Sequence, residues 1–170
     1  TIENIKAAKK RISAVVQTTP LMDNIQYSNL YSANVLLKRE DLQQVRSYKI
    51  RGAYNKMAQH PNEKHVVCAS AGNHAQGVAY TCHKLNVYGT IFMPVTTPNQ
   101  KIEQVKMFGQ DSIEVRLIGD TFDETGTAAK SFCKEHDYLY IPPFDDIQII
   151  EGQATIALEI LQKYKQKIDY

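Results

Sequence analysis

Two short stretches of this chain carry the residue types from which a reaction centre is built. Arg46-Ser47-Tyr48-Lys49-Ile50-Arg51-Gly52-Ala53 sets a lysine between an aromatic and an aliphatic residue, where a strand-like run gives way to a helix-like one. A lysine desolvated by such neighbours loses its proton more readily and becomes an amine nucleophile toward an aldehyde. Tyr48 offers a flat ring able to stack on a planar ligand, and Ile50 and Ala53 offer an apolar wall. The second stretch, Ser70-Ala71-Gly72-Asn73-His74-Ala75-Gln76-Gly77, also sits between a strand and a helix. Free backbone N–H groups and the positive helix end make such a turn an anion site, and Gly72 lets a ligand approach the backbone closely.

Each stretch has a plainer reading. Most lysines are solvated surface charges, and Asn73 followed three residues later by Gln76 has the form of a capping box. His74 is a candidate proton donor, or a contact for a phosphate or carboxylate at the helix start. Asp145 and Asp146 are candidate paired acids, or solvated turn residues beside Pro142 and Pro143. Tyr138 and Tyr140 read as packing residues rather than stacking surfaces.

The elements that must position these residues follow from periodicity. Ile5, Ala8, Ile12 and Val15 recur at helical spacing, and Thr19-Pro20 stops that helix. Val35-Leu36-Leu37 reads as a short buried strand, and Lys38-Arg39-Glu40-Asp41 carries the chain out into polar surroundings. A helix is expected from Gly52 to Gln59. Strand and helix then alternate: a strand over 65–69, a helix over 74–85, a strand over 88–93. Thr97-Pro98 with Gln100 predicts the next helix start, threonine as cap and proline in the first position. Ser112 to Leu117 alternates as a half-exposed edge strand does. A helix opening at Asp120-Thr121 puts Phe122, Ala129, Phe132 and His136 on one face. A strand over 138–141 and a last helix from about Ile149 to Tyr164 follow, with Ile150, Ala154, Ala157 and Leu161 facing inward. This rhythm predicts an α/β fold, a parallel sheet flanked by helices, and ligands at the carboxyl ends of the strands.

Composition narrows the function classes. The 170 residues are 43% hydrophobic with a formal net charge of +2, enough for a core and too scattered in charge for a nucleic-acid groove. No apolar run approaches the roughly 20 residues that span a bilayer. Cys68, Cys82 and Cys133 are sparse and odd in number, which fits a reducing, cytoplasmic compartment. No histidine has metal-ligand spacing, so no metal site is expected.

Taken in order, Lys38-Arg39-Glu40-Asp41, Ser47 to Ala53 and Ser70 to Gly77 closely resemble the serine/threonine dehydratases. Met93-Pro94, Thr97-Pro98, Pro143-Phe144-Asp145-Asp146 and Gly152-Gln153 continue the likeness over nearly the whole chain. Those are fold-type-II pyridoxal-phosphate enzymes of the tryptophan-synthase-β-like group, and within the family threonine dehydratase looks nearest. The resemblance implies pyridoxal phosphate as cofactor, held by Lys49 as a Schiff base. It implies Tyr48, where relatives usually have phenylalanine, against the pyridine ring, and Asn73 on the cofactor's phenolic oxygen. It implies a substrate carboxylate held by Ser70, Gly72, Asn73 and His74, with Lys49 as the base at Cα. The implied reaction is β-elimination and deamination of threonine to 2-oxobutyrate and ammonia, in isoleucine biosynthesis or threonine catabolism. The alternatives are a serine dehydratase or serine racemase with the same motifs, or a non-catalytic piece.

Relatives cradle the cofactor phosphate in a run of consecutive glycines, and none of the eight glycines here is adjacent to another. The resulting expectation is an N-terminal portion: residues 1–50 opening the large domain, 51–144 forming the small α/β domain, and 145–170 returning to the large one. A homo-oligomer is expected of the full-length form, with a small amino acid as substrate and neither nucleic acid nor membrane as partner.

Overall fold

The most apolar runs of the sequence form the centre of a parallel sheet. In a computed structural model, which describes residues 1–169, β3 (His65–Ala69) and β4 (Tyr88–Met93) pair in register from His65↔Tyr88 to Ala69↔Phe92. Val66 to Ala69 and Ile91 to Met93 are buried, the pattern of strands covered on both faces. β5 (Ile113–Leu117) flanks β4 and β6 (Leu139–Tyr140) flanks β3, all parallel, in the order β5-β4-β3-β6. The edge position expected for the alternating segment is therefore observed.

Helices cover both faces. On one lie α3 (Lys49–Met57), α4 (Asn73–Leu85), α5 (Asn99–Gly109) and α7 (Ile147–Lys163), which close a core of Cys68, Val78, Ile91 and Met93 with their neighbours. On the other lies α6 (Phe122–His136), packed on Val67, Ala69 and Phe92. Thr121 opens α6 with a complete capping box to Glu124. Ala129 is buried and Phe132 packs beside it, but Phe122, expected on the same face, is half exposed. Tyr138 stacks on His65 at 3.9 Å, a packing role. Cys68, Cys82 and Cys133 are buried and unpaired. Burial pushes the Cys68 and Cys82 thiols up, Cys82 to about 12, so both behave as small core residues.

The front of the chain departs from the all-parallel expectation. β1 (Leu21–Asp23) and β2 (Leu36–Lys38) form an antiparallel pair joined through α2 (Ile25–Tyr31), and neither β1 nor α2 is legible as a periodic run. α1 (Ile2–Ile12) packs on α7 and α3, burying Ala8 and Ile12. α3 begins at Lys49 rather than Gly52, because the Ser47 hydroxyl accepts the Lys49 N–H at 3.3 Å and Tyr48 carbonyl the Arg51 N–H at 3.0 Å. The expected boundary at 50/51 thus falls inside a helix. α5 starts at Asn99 with Pro98 in the cap position, one residue later than expected, and the Thr97 hydroxyl is buried without a partner among the described residues.

The largest correction concerns α7. Its buried face is Ile149, Gly152, Thr155 and Glu159, while Ile150 and Leu161 are half exposed. Two glycines fix this rotation: a Cβ on Gly152 would lie 2.4 Å from the Arg51 carbonyl and 2.7 Å from Gly52 Cα. α3 and α7 therefore cross backbone to backbone, and the face that meets α3 is the one carrying polar groups for Arg51.

Candidate active site

The parallel strands bring two loops to one edge of the sheet. Ser70 N–H bonds the Phe92 carbonyl at 3.0 Å, and Ile141 N–H bonds the Val67 carbonyl at 2.8 Å, so the turn after β3 and the loop after β6 leave side by side. Lys49 faces this edge from the first turn of α3. Its Nζ donates to the Pro143 carbonyl at 2.6 Å and lies 5.4 Å from the centre of the Tyr48 ring. The amine borders an open cavity of about 410 Å³, lined with Tyr48, Pro143, Phe144, Ile150 and Gln153. Tyr48 is 41% exposed, leaving a ring surface free for a planar ligand.

α4 is locked against the lysine. A Cβ on Gly77 would stand 3.2 Å from the carbonyl carbon of Lys49 and from Ile50 N, so any side chain here would press α4 away from α3. The Ser70–Asn73 turn is thereby held one helical turn away. The expected capping box is absent: Gly72 occupies the cap without a side-chain bond, and Gln76 donates instead to Gln104 at 3.2 Å. The consequence is chemical. Asn73 keeps an exposed side chain with no hydrogen-bond partner among the described residues, and a Cβ placed on Gly72 would meet nothing within 4 Å, so the turn is open to a ligand. Ser70 accepts the Gly72 N–H at 3.2 Å, which leaves its own hydroxyl proton free to donate. The first-turn N–H groups of α4 have no intrahelical acceptors and form the positive end of the helix.

His74 departs from expectation. Its imidazole is 3% exposed and lies in the core, with Nε2 2.9 Å from the Ile141 carbonyl. A carbonyl only accepts, so Nε2 carries the proton and the ring is the neutral Nε2–H tautomer. Burial drives its pKa down to about 4; the bond to Ile141 opposes this and the Lys49 charge adds to it. With its Nε2–H committed to Ile141 the ring is not the proton donor considered from sequence, and only the His74 backbone N–H remains at the turn.

The loop after β6 is tied down on both sides. Asp146, read as a solvated turn acid, caps α7 through Gln148 N and Ile149 N, both at 3.0 Å, and pairs with Lys56 at 2.6 Å. Burial raises its carboxyl pKa, but the Lys56 contact and the cap bonds outweigh this and hold it below the usual range. Gln153 lies over Gly52, and neither its amide nitrogen nor its oxygen has a partner among the described residues.

Beneath the site runs a charge network that the sequence does not announce. Arg51, fully buried, donates to Glu40 at 2.8 Å through Nε and Nη2, to Glu159 at 2.8 and 3.0 Å, and to Thr155 at 3.0 Å. Lys38 adds Glu159 at 2.5 Å and the Thr19 carbonyl at 2.6 Å. Lys38 and Glu40 therefore point inward, against the reading of 38–41 as a polar exit. Burial pulls the Arg51 pKa down and raises that of Glu159. The hydrogen bonds between opposite charges prevail in both, leaving Arg51 raised and Glu159 lowered. Among the described residues no cluster of three or more His, Cys, Asp or Glu side chains is arranged to hold a metal. No described helix is long and apolar enough to cross a membrane.

An amine at a cavity edge, a free carboxamide at an open glycine turn and an exposed aromatic face fit a planar aldehyde cofactor bearing a phenolic oxygen. That fit has a counterpart among known proteins. The family model described as "pyridoxal-phosphate dependent enzyme" matches residues 12–170, and the chain belongs to this family. Its architecture is the fold-type-II arrangement expected.

Within the family its similarity runs toward enzymes acting on threonine. It is 53% identical over 168 residues to the L-threonine dehydratase biosynthetic IlvA of Lactococcus lactis, covering 97% of this chain and 40% of that protein. It matches the processed form of threonine deaminase isoform 2 from Solanum lycopersicum with a TM-score of 0.87 and 41% identity, over 96% of this chain and 46% of that one. Serine racemase from Dictyostelium discoideum matches with a TM-score of 0.86 and 30% identity, over 98% of this chain and 54% of that one. The chain thus spans about 40% of the length of the curated relatives it matches.

Proposed function

We propose that this chain carries the lysine-bearing and carboxylate-binding part of a pyridoxal-phosphate-dependent threonine dehydratase, which removes water and then ammonia from threonine. The observation that carries the reading is that Lys49 Nζ borders an open cavity while Gly77 packs the helix opened by the Ser70–Asn73 turn against the lysine backbone. Threonine rather than serine is favoured by the names of the relatives matched at 53% and 51% identity.

The bound cofactor supplies the electron sink for charge developing at the substrate Cα. The chain's own residues bind, orient and move protons around it. Lys49 would hold the cofactor through its amine and serve as the base for the substrate's Cα proton; proton transfer by a positioned group contributes typically about 10²–10⁴-fold. Tyr48 would offer its exposed ring to the cofactor, and the Asn73 carboxamide would hold it by a hydrogen bond. Ser70 through its hydroxyl, and the backbone of Gly72, Asn73 and His74, orient the substrate carboxylate at the positive end of α4. The domain division at 1–50, 51–144 and 145–170 belongs to the same proposal, as does a role in isoleucine biosynthesis. Three buried, unpaired cysteines support a reducing compartment such as the cytoplasm.

Mixing the purified protein with pyridoxal phosphate tests the reading. In a chain of the relatives' length a visible absorbance band is expected, with borohydride reduction fixing the cofactor mass on the peptide containing Lys49. In a chain of the relatives' length, threonine is expected to yield 2-oxobutyrate and ammonia, and Lys49→Ala to abolish both attachment and turnover. Full turnover in Lys49→Ala would sink the proposal. Preference for serine over threonine, or formation of D-serine, would support the serine-directed alternative that the racemase likeness raises.

A further inference from the structure

The contact that holds Lys49 is made by a carbonyl 94 residues away, on a loop with no regular structure of its own. Something must fix that carbonyl. Ile141 is anchored twice: its N–H bonds Val67 in β3, and its carbonyl accepts the Nε2–H of His74 from the first turn of α4. Two prolines follow, and proline fixes φ, so the path from the Ile141 carbonyl to the Pro143 carbonyl has little freedom. At the far end of the loop Asp146 is held by the α7 cap and by Lys56. α4 itself is seated on the Lys49 backbone at Gly77, one turn beyond His74. His74 therefore joins the helix that abuts the lysine to the loop that receives its amine.

We propose that His74 is a positioning residue for Lys49: its buried Nε2–H fixes Ile141, and through the rigid Pro142-Pro143 step holds the Pro143 carbonyl where it receives the Lys49 amine. This rests on the reading of Lys49 as the cofactor lysine, and it gives the imidazole a task other than touching substrate. Pro143 supplies a defined resting place for the amine whenever it is not bonded to cofactor. A lysine with four rotatable bonds and no such acceptor would sample many positions, and misplacement of a reacting group by about 1 Å can cost on the order of 10²-fold in rate.

The test reads Lys49 itself, with and without cofactor. In the cofactor-free chain, acylation of each lysine by a dilute amine-reactive ester is followed by peptide mass spectrometry. His74→Leu fills the core but donates nothing, and Lys49 labelling is expected to accelerate about fivefold, the scale of one net hydrogen bond. His74→Gln, which presents an N–H donor, is expected to recover most of the wild-type labelling rate. Pro142→Gly slackens the same path without opening the core, and is expected to accelerate labelling even where His74→Leu does not fold. Other lysines, such as Lys84 and Lys101, serve as internal references. With pyridoxal phosphate and a chain of the relatives' length, His74→Leu is expected to lower kcat about tenfold or more with KM within about twofold. Wild-type labelling of Lys49 in both Pro142→Gly and folded His74→Leu would overturn the proposal. Altered labelling without borohydride-fixed cofactor on Lys49 would uphold the positioning role and reject the cofactor reading.

Discussion

Removing Arg51 alone is expected to cost more than removing the whole charge cluster around it. Arg51 is 0% exposed and lies between Glu40 and Glu159, which are themselves nearly buried. Arg51→Met keeps the straight apolar stem and deletes the guanidinium, leaving Glu40 without its cation and Glu159 with Lys38 only. Breaking a buried ion pair in this one-sided way costs about 3–5 kcal/mol. For a chain of this size about 1 kcal/mol moves Tm by roughly 2–4 °C, so Tm should fall by roughly 6–20 °C. Total stabilities run about 5–15 kcal/mol, so the variant should be marginal but measurable. Thermal melts followed by far-UV circular dichroism, with urea titrations for the free energy, give the number. The companion variant Lys38→Met/Glu40→Leu/Arg51→Met/Glu159→Leu replaces all four groups, including the lysine that shares Glu159, by apolar ones and should recover at least half of the loss, because no uncompensated charge remains. An Arg51→Met cost below about 1 kcal/mol, or a quadruple variant worse than the single one, would refute this account of the network.

Three further outcomes follow from named contacts. Gly152→Ala should lose about 1–3 kcal/mol or more, because its Cβ meets the Arg51 carbonyl. Gly126→Ala, at a helical position with nothing within 4 Å, should gain about 0.5–1 kcal/mol; paired urea titrations check the contrast. Gln153→Met should raise Tm in the cofactor-free chain by removing two unpartnered amide atoms, worth about 1 kcal/mol or more, and a fall in Tm would count against it. Stability should also decline in acid in two stages, read by urea titration at stepped pH. His74 has a folded pKa of about 4 against 6.5 unfolded, so the unfolded chain binds the extra proton and roughly 3 kcal/mol is lost as pH falls from 6.5 to 4. His74→Gln should flatten that stage. Glu159 and Asp146, lowered by their cations, contribute stability present above the ordinary carboxylate range and lost as pH falls through their folded values.

Much of the architecture was legible because it is written in local periodicity. Runs such as Val66 to Ala69 and Ile91 to Met93 are too apolar for anything but a covered sheet, and the alternation of 113–117 marks an edge. Lys49, Tyr48, Ser70, Gly72, Asn73 and His74 were legible as candidates because their order resembles a known set of motifs. β1 and α2 were not, since three-residue strands and an exposed helix leave no periodic trace.

What the sequence alone determined is therefore the alternation of elements, the apolar centre of the sheet and the candidate status of Lys49. Tertiary structure decided how those residues are used. α7 turns its polar face inward because two glycines bring it against α3 and Arg51 needs Glu159, 108 residues away. Asn73 is free because Gly72 takes the cap, and His74 is buried because the Ile141 carbonyl reaches it from 67 residues on. Periodicity reports which residues favour burial within one element. It carries no record of the partner that arrives from a distant one, and in this chain those partners set the charge network and the seat of the lysine.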